Sequence, residues 1–151
     1  MGMFSILHAL HFIATLSAAL FAGAALYINI VEHPARMGLE TSIAASQWAP
    51  SYKRATWLQA PLALLSFLAG AAAWLFGGDV LWLVAAVLIF AIVPFTLIVI
   101  MPTNHMLLAP GRDLRTPETR ALLEKWGTLH AVRTGLSLLA TALFIWQLCG
   151  A

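Results

Sequence analysis

An all-α bundle of four membrane-spanning helices is the fold this sequence predicts, on three observations. The chain is 62% hydrophobic and only 9% charged, where soluble domains carry about a quarter charged residues. Four apolar stretches each reach the roughly 20 residues that crossing a bilayer requires. Seven of the eight Lys and Arg residues fall in two of the segments joining those stretches. A soluble fold of this length has too little interior for so much apolar surface, whereas lipid solvates it. A single domain over 1–151 is expected.

The first span is expected at about 5–31. No Lys or Arg precedes Arg36, and the apolar run is too long for a signal-peptide core, so it is expected to be a retained span. It runs into Glu32-His33-Pro34, and proline disfavours helix in the residue before it. His33 is therefore expected at or just past the helix end. The second span, about 56–76, carries Pro61 near its start. Gly77-Gly78-Asp79 then predicts a tight turn, making spans two and three antiparallel neighbours. Span three, about 80–101, contains Pro94, which frees the carbonyl of Phe90 and predicts a kink. Span four is expected at about 129–148. The alternation gives an up-down topology.

Charge sets the expected orientation. Arg36, Lys53 and Arg54 lie between spans one and two, and Arg112, Arg115, Arg120 and Lys125 between spans three and four. The other side has no Lys or Arg. The positive-inside rule then puts both termini on the non-cytoplasmic side, in what is expected to be a bacterial inner (plasma) membrane. Trp74, Trp82 and Trp146 at the outer ends, with Trp57 and Trp126 at the inner ends, read as interfacial belts. A net charge of +2 gives no reason to expect nucleic acid. Cys149 alone allows neither an internal disulfide framework nor a cysteine zinc site. The small pairs Ala19-x3-Gly23 and Ser66-x3-Gly70 suit close helix contact, within the bundle or in a homo-oligomer.

Functional side chains converge on the basic end. Span one ends in Asn29, Glu32 and His33, and span two is entered through Tyr52, Lys53 and Arg54, with Gln59 a turn deeper. Span three ends in Asn104 and His105, and span four opens with Trp126, His130 and Arg133. Trp126, His130, Arg133 and Ser137 are spaced 4, 3 and 4 apart and so share one helical face. An unpaired guanidinium inside an apolar segment is costly, so Arg133 is expected to face the interior and meet Glu32. Three readings of the cluster stand side by side. It is structural glue, with the ion pair pinning helix ends. Or His33, His105 and His130, with Glu32, form a nitrogen-and-oxygen site for iron, copper or zinc. Or it is a pocket in which His130 is a base while Arg133 and Asn104 hold an oxyanion. The cofactor is then none, a transition metal or haem. A smaller group at the far end, His8, His11, Gln147 and Cys149, reads as solvated interface residues, with a metal or haem site as the alternative.

Several stretches carry a family resemblance: YINIVEHPAR at Tyr27–Arg36, WAPSYKRATWLQAPLAL at Trp48–Leu64, MPTNHMLL at Met101–Leu108 and KWGTLHAVRT at Lys125–Thr134. Together they resemble the family of small four-span membrane proteins that includes the fungal anthrone oxygenases. The most specific parts are Pro-x-Asn (Pro102, Asn104) and Trp-x3-His/Asn-x2-Arg (Trp126, His130, Arg133). The resemblance implies an oxidoreductase acting on a lipophilic aromatic or quinone-like substrate drawn from the bilayer. His130 would take a proton, Arg133 and Asn104 would stabilise the anion, and Glu32 would orient Arg133. Trp126, Tyr52, Arg54 and Gln59 would line the substrate site. The alternative is a non-catalytic membrane subunit or a small-ligand or metal-binding protein. A transporter is disfavoured, because no ionisable residue lies at mid-membrane.

Overall fold

The polypeptide turns back on itself at Gly77-Gly78-Asp79. Gly77 takes a left-handed backbone (φ +97°), and a Cβ on Gly78 would lie 2.8 Å from the Ala73 carbonyl oxygen. Asp79 then caps the next helix by accepting from the Leu81 amide at 2.8 Å. The computed structural model describes residues 3–150, and all regular structure there is helical. The helices are α1 (Met3–Tyr27), α2 (His33–Met37), α3 (Thr41–Leu75), α4 (Val80–Phe95), α5 (Met101–Leu107) and α6 (Pro117–Gly150). A five-residue π-helical segment joins α1 to α2 (Ile28–Glu32), and another joins α4 to α5 (Thr96–Ile100).

The result is four long rods: Ile6–Met37, Thr41–Leu75, Val80–Leu107 and Pro117–Gly150, each long and apolar enough to cross a membrane. The chain is an integral, multi-pass membrane protein. The first rod packs along the second and fourth, and the third rod does the same, which closes an up-down ring. α3 has 35 residues and α6 has 34, giving roughly 50 Å each at 1.5 Å per residue. A hydrocarbon core is about 30 Å thick, so both project well beyond it at one end.

That projection changes how the connecting segments are read. Only residues 38–40 and 108–116 are non-helical between the paired rods, so most of the expected loops are helix. The first rod in particular does not stop at His33. The Ile28–Glu32 segment uses i→i−5 bonding, with the His33 amide reaching the Ile28 carbonyl, so Pro34 enters as an early residue of α2. Proline is tolerated there because its missing N–H falls in the first turn of the new helix. The third rod repeats the device: Met101 N–H bonds to Thr96 O, and Pro102 follows. Its discontinuity lies at Thr96–Ile100, just past the Pro94 at which a kink was expected.

Small residues let the rods approach. Ser66 is buried and donates to the Ala14 carbonyl at 2.9 Å. A Cβ on Gly70 would come within 3.0 Å of Ala86 and Phe144. Ser66 and Gly70 are thus spent inside the bundle. Gly23 is exposed and a Cβ on it would meet nothing within 4 Å, and α1 instead turns Ala14, Ala18, Ala22 and Ala25 inward. The tryptophan belt needs a correction. Trp57, Trp74 and Trp146 are exposed, but Trp82 and Trp126 are 1% and 4% exposed and belong to the core. Trp82 shares a helical face with Ala85, Ala86, Ile89 and Ile92, all buried, and Trp126 begins the inward stripe of α6.

Candidate functional site

The polar residues at the π-segment end sort into two assemblies. The first surrounds Arg36, whose side chain is only 2% exposed. Its Nη2 pairs with Glu32 Oε1, four residues back on a continuous helix. Arg36 Nε donates to Gln47 Oε1, and Nη1 lies 3.2 Å from His33 Nδ1. Ser51 donates to Glu32, and Gln47 Nε2 reaches it at 3.4 Å. The cluster ties α2 to α3 with each charge answered. Arginine can only donate, so His33 Nδ1 is an acceptor and its ring is held in the Nε2–H form. The ring is pressed against α6: a Cβ on Gly127 would lie 2.5 Å from His33 Nε2. Only glycine allows that approach.

The expected Glu32–Arg133 pair therefore does not form. Its premise was a first helix ending near His33. Because the helix continues, Glu32 finds Arg36 at i+4, and the partner is local rather than across the bundle.

The second assembly lies on α6. The stripe of Trp126, His130, Arg133 and Ser137 faces inward as its spacing predicts, with exposures from 0% to 9%. Asn29 Nδ2 donates to the Gly127 carbonyl at 3.1 Å, an oxygen that can only accept. That contact fixes the amide and presents Asn29 Oδ1 to His130 Nδ1 at 2.7 Å and to the Thr134 hydroxyl at 2.5 Å. His130 Nδ1 must then carry the hydrogen, which leaves Nε2 with the lone pair in the neutral ring. The two histidines are held in opposite tautomers, and His130 has the form of a base.

One turn deeper, Arg133 Nη2 donates to Gln59 Oε1 at 2.8 Å, and its guanidinium lies 5.6 Å from the centre of the Phe21 ring. No carboxylate reaches Arg133 among the described residues. Arg133 Nε and Gln59 Nε2 are buried donors without a partner. Each such orphan costs about 1–3 kcal/mol. The pair offers donors and a positive charge, and what it lacks is an acceptor.

Three spaces meet at Gln59. A narrow crevice inside the bundle, of only about 10 Å³, is lined by Tyr52, Gln59, Trp126, His130 and Arg133. A cleft of about 540 Å³ opens between α1 and α3, with Tyr27, Pro50, Leu58 and Gln59 on its walls and Glu32 and Arg54 at its polar side. A chamber of about 150 Å³ lies between α3 and α4 and shares Tyr52, Gln59 and Arg133 with the crevice.

Of the residues singled out from sequence, Tyr52, Gln59, Trp126, His130 and Arg133 gather at one place, and Arg54 borders it through the cleft. Tyr52 stacks on Trp48 at 5.1 Å. Asn104 is fully buried with both amide atoms unpartnered, but lines none of these spaces. His33, His105 and His130 do not assemble a metal site, and no group of three or more His, Cys, Asp or Glu does so among the described residues. Successive helix residues are rotated by about 100°, so an inward Asn104 leaves His105 exposed. The far-end group is not the solvated set expected from sequence: His11 stacks on the buried Trp82 with centroids 3.8 Å apart, and the buried Gln147 donates to Asp79 Oδ1 at 3.3 Å. Four contributors carried no assigned role in the sequence: Asn29, Arg36, Phe21 and Thr134. Arg36 and Thr134 were signalled by i+4 spacing from Glu32 and His130. Phe21 left no signal.

A family model for anthrone oxygenase matches residues 48–143. The match covers more than half of the chain and takes in Tyr52, Gln59, Asn104, Trp126, His130 and Arg133. The chain belongs to the anthrone oxygenase family. No curated protein and no solved structure matches it.

Proposed function

We propose that this protein is a membrane oxidoreductase that oxidises a lipophilic, carbonyl-activated aromatic CH₂ group with dioxygen, as an anthrone is converted to an anthraquinone. The observation that carries the reading is the pairing of a tautomer-fixed His130 with an acid-free, donor-rich Arg133–Gln59 pair on the same crevice. A CH₂ group beside a conjugated carbonyl is acidic because its electron pair delocalises onto the carbonyl oxygen. His130 Nε2 takes the proton, and the enolate oxygen becomes the missing acceptor for Arg133 and Gln59 Nε2. Such donors act strongly because they are fixed before the charge appears and are shielded from water. General-base help of this kind contributes about 10²–10⁴-fold. Dioxygen accepts the electrons: one oxygen atom ends as the new carbonyl, and the other leaves as water with both hydrogens.

The substrate enters laterally from the bilayer and seats in the α1/α3 cleft, whose volume lies within the roughly 300–1,000 Å³ of small-molecule sites. A shift of Gln59, which lines both spaces, opens the narrow crevice so that the substrate CH₂ reaches His130. Placement of Arg36, Lys53, Arg54 and the 108–125 cations at this end supports a cytoplasmic location for the site.

The test is dioxygen consumption and quinone absorbance with a hydroxylated anthrone and the purified, detergent-solubilised protein. Turnover well above spontaneous autoxidation, lost in His130→Ala, is expected. Oxidation at the background rate, with bound anthrone and intact fold, sinks the reading and leaves a non-catalytic binding protein.

A further inference from the structure

The α3/α4 chamber is not absorbed by the substrate assignment. Its volume of about 150 Å³ lies below the roughly 300 Å³ at which small-molecule sites begin. A three-ring aromatic does not fit; a diatomic gas does. Most of its wall is apolar, from Phe21, Ala63, Ile92, Val93, Leu97 and Met101. Ala60 and Leu97, which line it, are exposed on the rod surface that faces lipid. Its inner end is formed by Gln59 and Arg133, across Gln59 from the larger cleft. Tyr52, Thr56, Thr96, Gln59 and Arg133 give the chamber a polar side, and its apolar wall suits apolar guests such as xenon, which enclosed apolar cavities of about 150 Å³ take up.

We propose that the α3/α4 chamber is a dioxygen-binding site, fed from the hydrocarbon of the bilayer and opening at its inner end on Arg133. The assignment rests on the oxygenase reading given above. Dioxygen is apolar and concentrates in hydrocarbon, so an opening toward lipid delivers it where a water-filled route does not. The enolate passes one electron to dioxygen, giving a carbon radical and superoxide. Arg133, its Nε without a protein partner, meets superoxide with a fixed positive charge. Radical and superoxide join through a new C–O bond as a peroxide anion, which takes up the proton held by His130. His130, free again, takes the remaining C–H proton as the O–O bond breaks, and the departing hydroxide collects that proton, leaving the carbonyl and water. Arg133 thus serves two anions in turn, and the two entrances keep the oxidant from competing with the substrate for one route.

Xenon is the probe. Crystals of the full chain pressurised with xenon, or xenon NMR in detergent, are expected to show a site bounded by Ala63, Ile92 and Arg133. Filling it by Ala63→Ile is expected to abolish that site. Ala60→Phe, at an exposed position and so less demanding on folding, is expected to obstruct the lipid-facing mouth. In either variant the KM for dioxygen should rise on the order of tenfold while the KM for the anthrone stays as it was. Absence of xenon from the chamber overturns the proposal and leaves the oxygenase reading standing. So does a rise confined to the anthrone KM, which makes the chamber part of the substrate site. If the unaltered protein binds xenon there but turns over no anthrone, the oxygenase reading fails, and the dioxygen assignment fails with it.

Discussion

Two arginines lie within the same end of one bundle, and their surroundings are opposite. Arg36 has a carboxylate, an amide oxygen, a hydroxyl and an imidazole around it. Arg133 has one amide oxygen and the face of a phenyl ring, with its Nε left over. Their histidines follow suit. His33 is used on Nδ1 by Arg36 and is pressed onto Gly127. His130 is anchored through Nδ1, which leaves the lone pair on Nε2, and the residue lines the crevice. A saturated network holds helices together; an unsaturated one beside a cavity leaves donors free for a ligand. The structural reading of the polar end describes the half around Arg36, and the catalytic proposal rests on the half around Arg133.

Substitutions separate the halves, and the largest effects belong on the unsaturated side. His130→Ala is expected to lower anthrone turnover by about 10²–10⁴-fold with the thermal unfolding curve little changed. Arg133→Met sharpens this further. It should abolish turnover to a similar degree, yet leave the bundle as stable or more so, because it removes a buried cation without a carboxylate. Marked destabilisation by Arg133→Met would place Arg133 with Arg36 and end the contrast.

The saturated side should show the reverse. Glu32→Ala strands the buried Arg36. Breaking a fully buried pair costs about 3–5 kcal/mol, and Glu32 is partly exposed, so about 2 kcal/mol is expected here. Denaturant or thermal unfolding in detergent measures it. Gly127→Ala drives a methyl into the His33 ring, and overpacking of this kind costs about 1–3 kcal/mol. Its signature is loss of stability that His33→Ala relieves in the double variant.

The smallest effect tests the link between the halves. Asn29→Ala removes the acceptor that sets the His130 tautomer. A lost hydrogen bond worth about 1.4 kcal/mol corresponds to roughly a tenfold drop in kcat, with the anthrone KM unchanged. A rise in KM instead would make Asn29 a substrate contact.

How much of this was legible in the sequence differs from element to element. The 126/130/133/137 stripe was readable because helical periodicity depends only on spacing. Gly77-Gly78-Asp79 was readable because turn chemistry is local. The Glu32 partner was misread because Pro34 looks like a helix stop, and nothing local announces that a π turn will carry the helix through it. Trp82 was misassigned because position near a span end does not say which way the side chain faces; Trp126 was read both as a belt residue and as part of the α6 stripe, and the stripe is what the structure shows. Trp82 could have been placed by the 82/85/86/89 spacing of its own helix.

The sequence by itself determined four apolar rods, their hairpin at 77–79, the polar end and the inward face of α6, since apolar length and i,i+3/i+4 spacing are properties of short stretches. Only the tertiary structure decided that Gln59 meets Arg133 across 74 residues and that Asn29 meets His130 across 101. Those pairings depend on the rotation of each rod about its axis. The two π turns and the close approaches at Gly70 and Gly127 set that rotation, and it is fixed only when all four rods pack together.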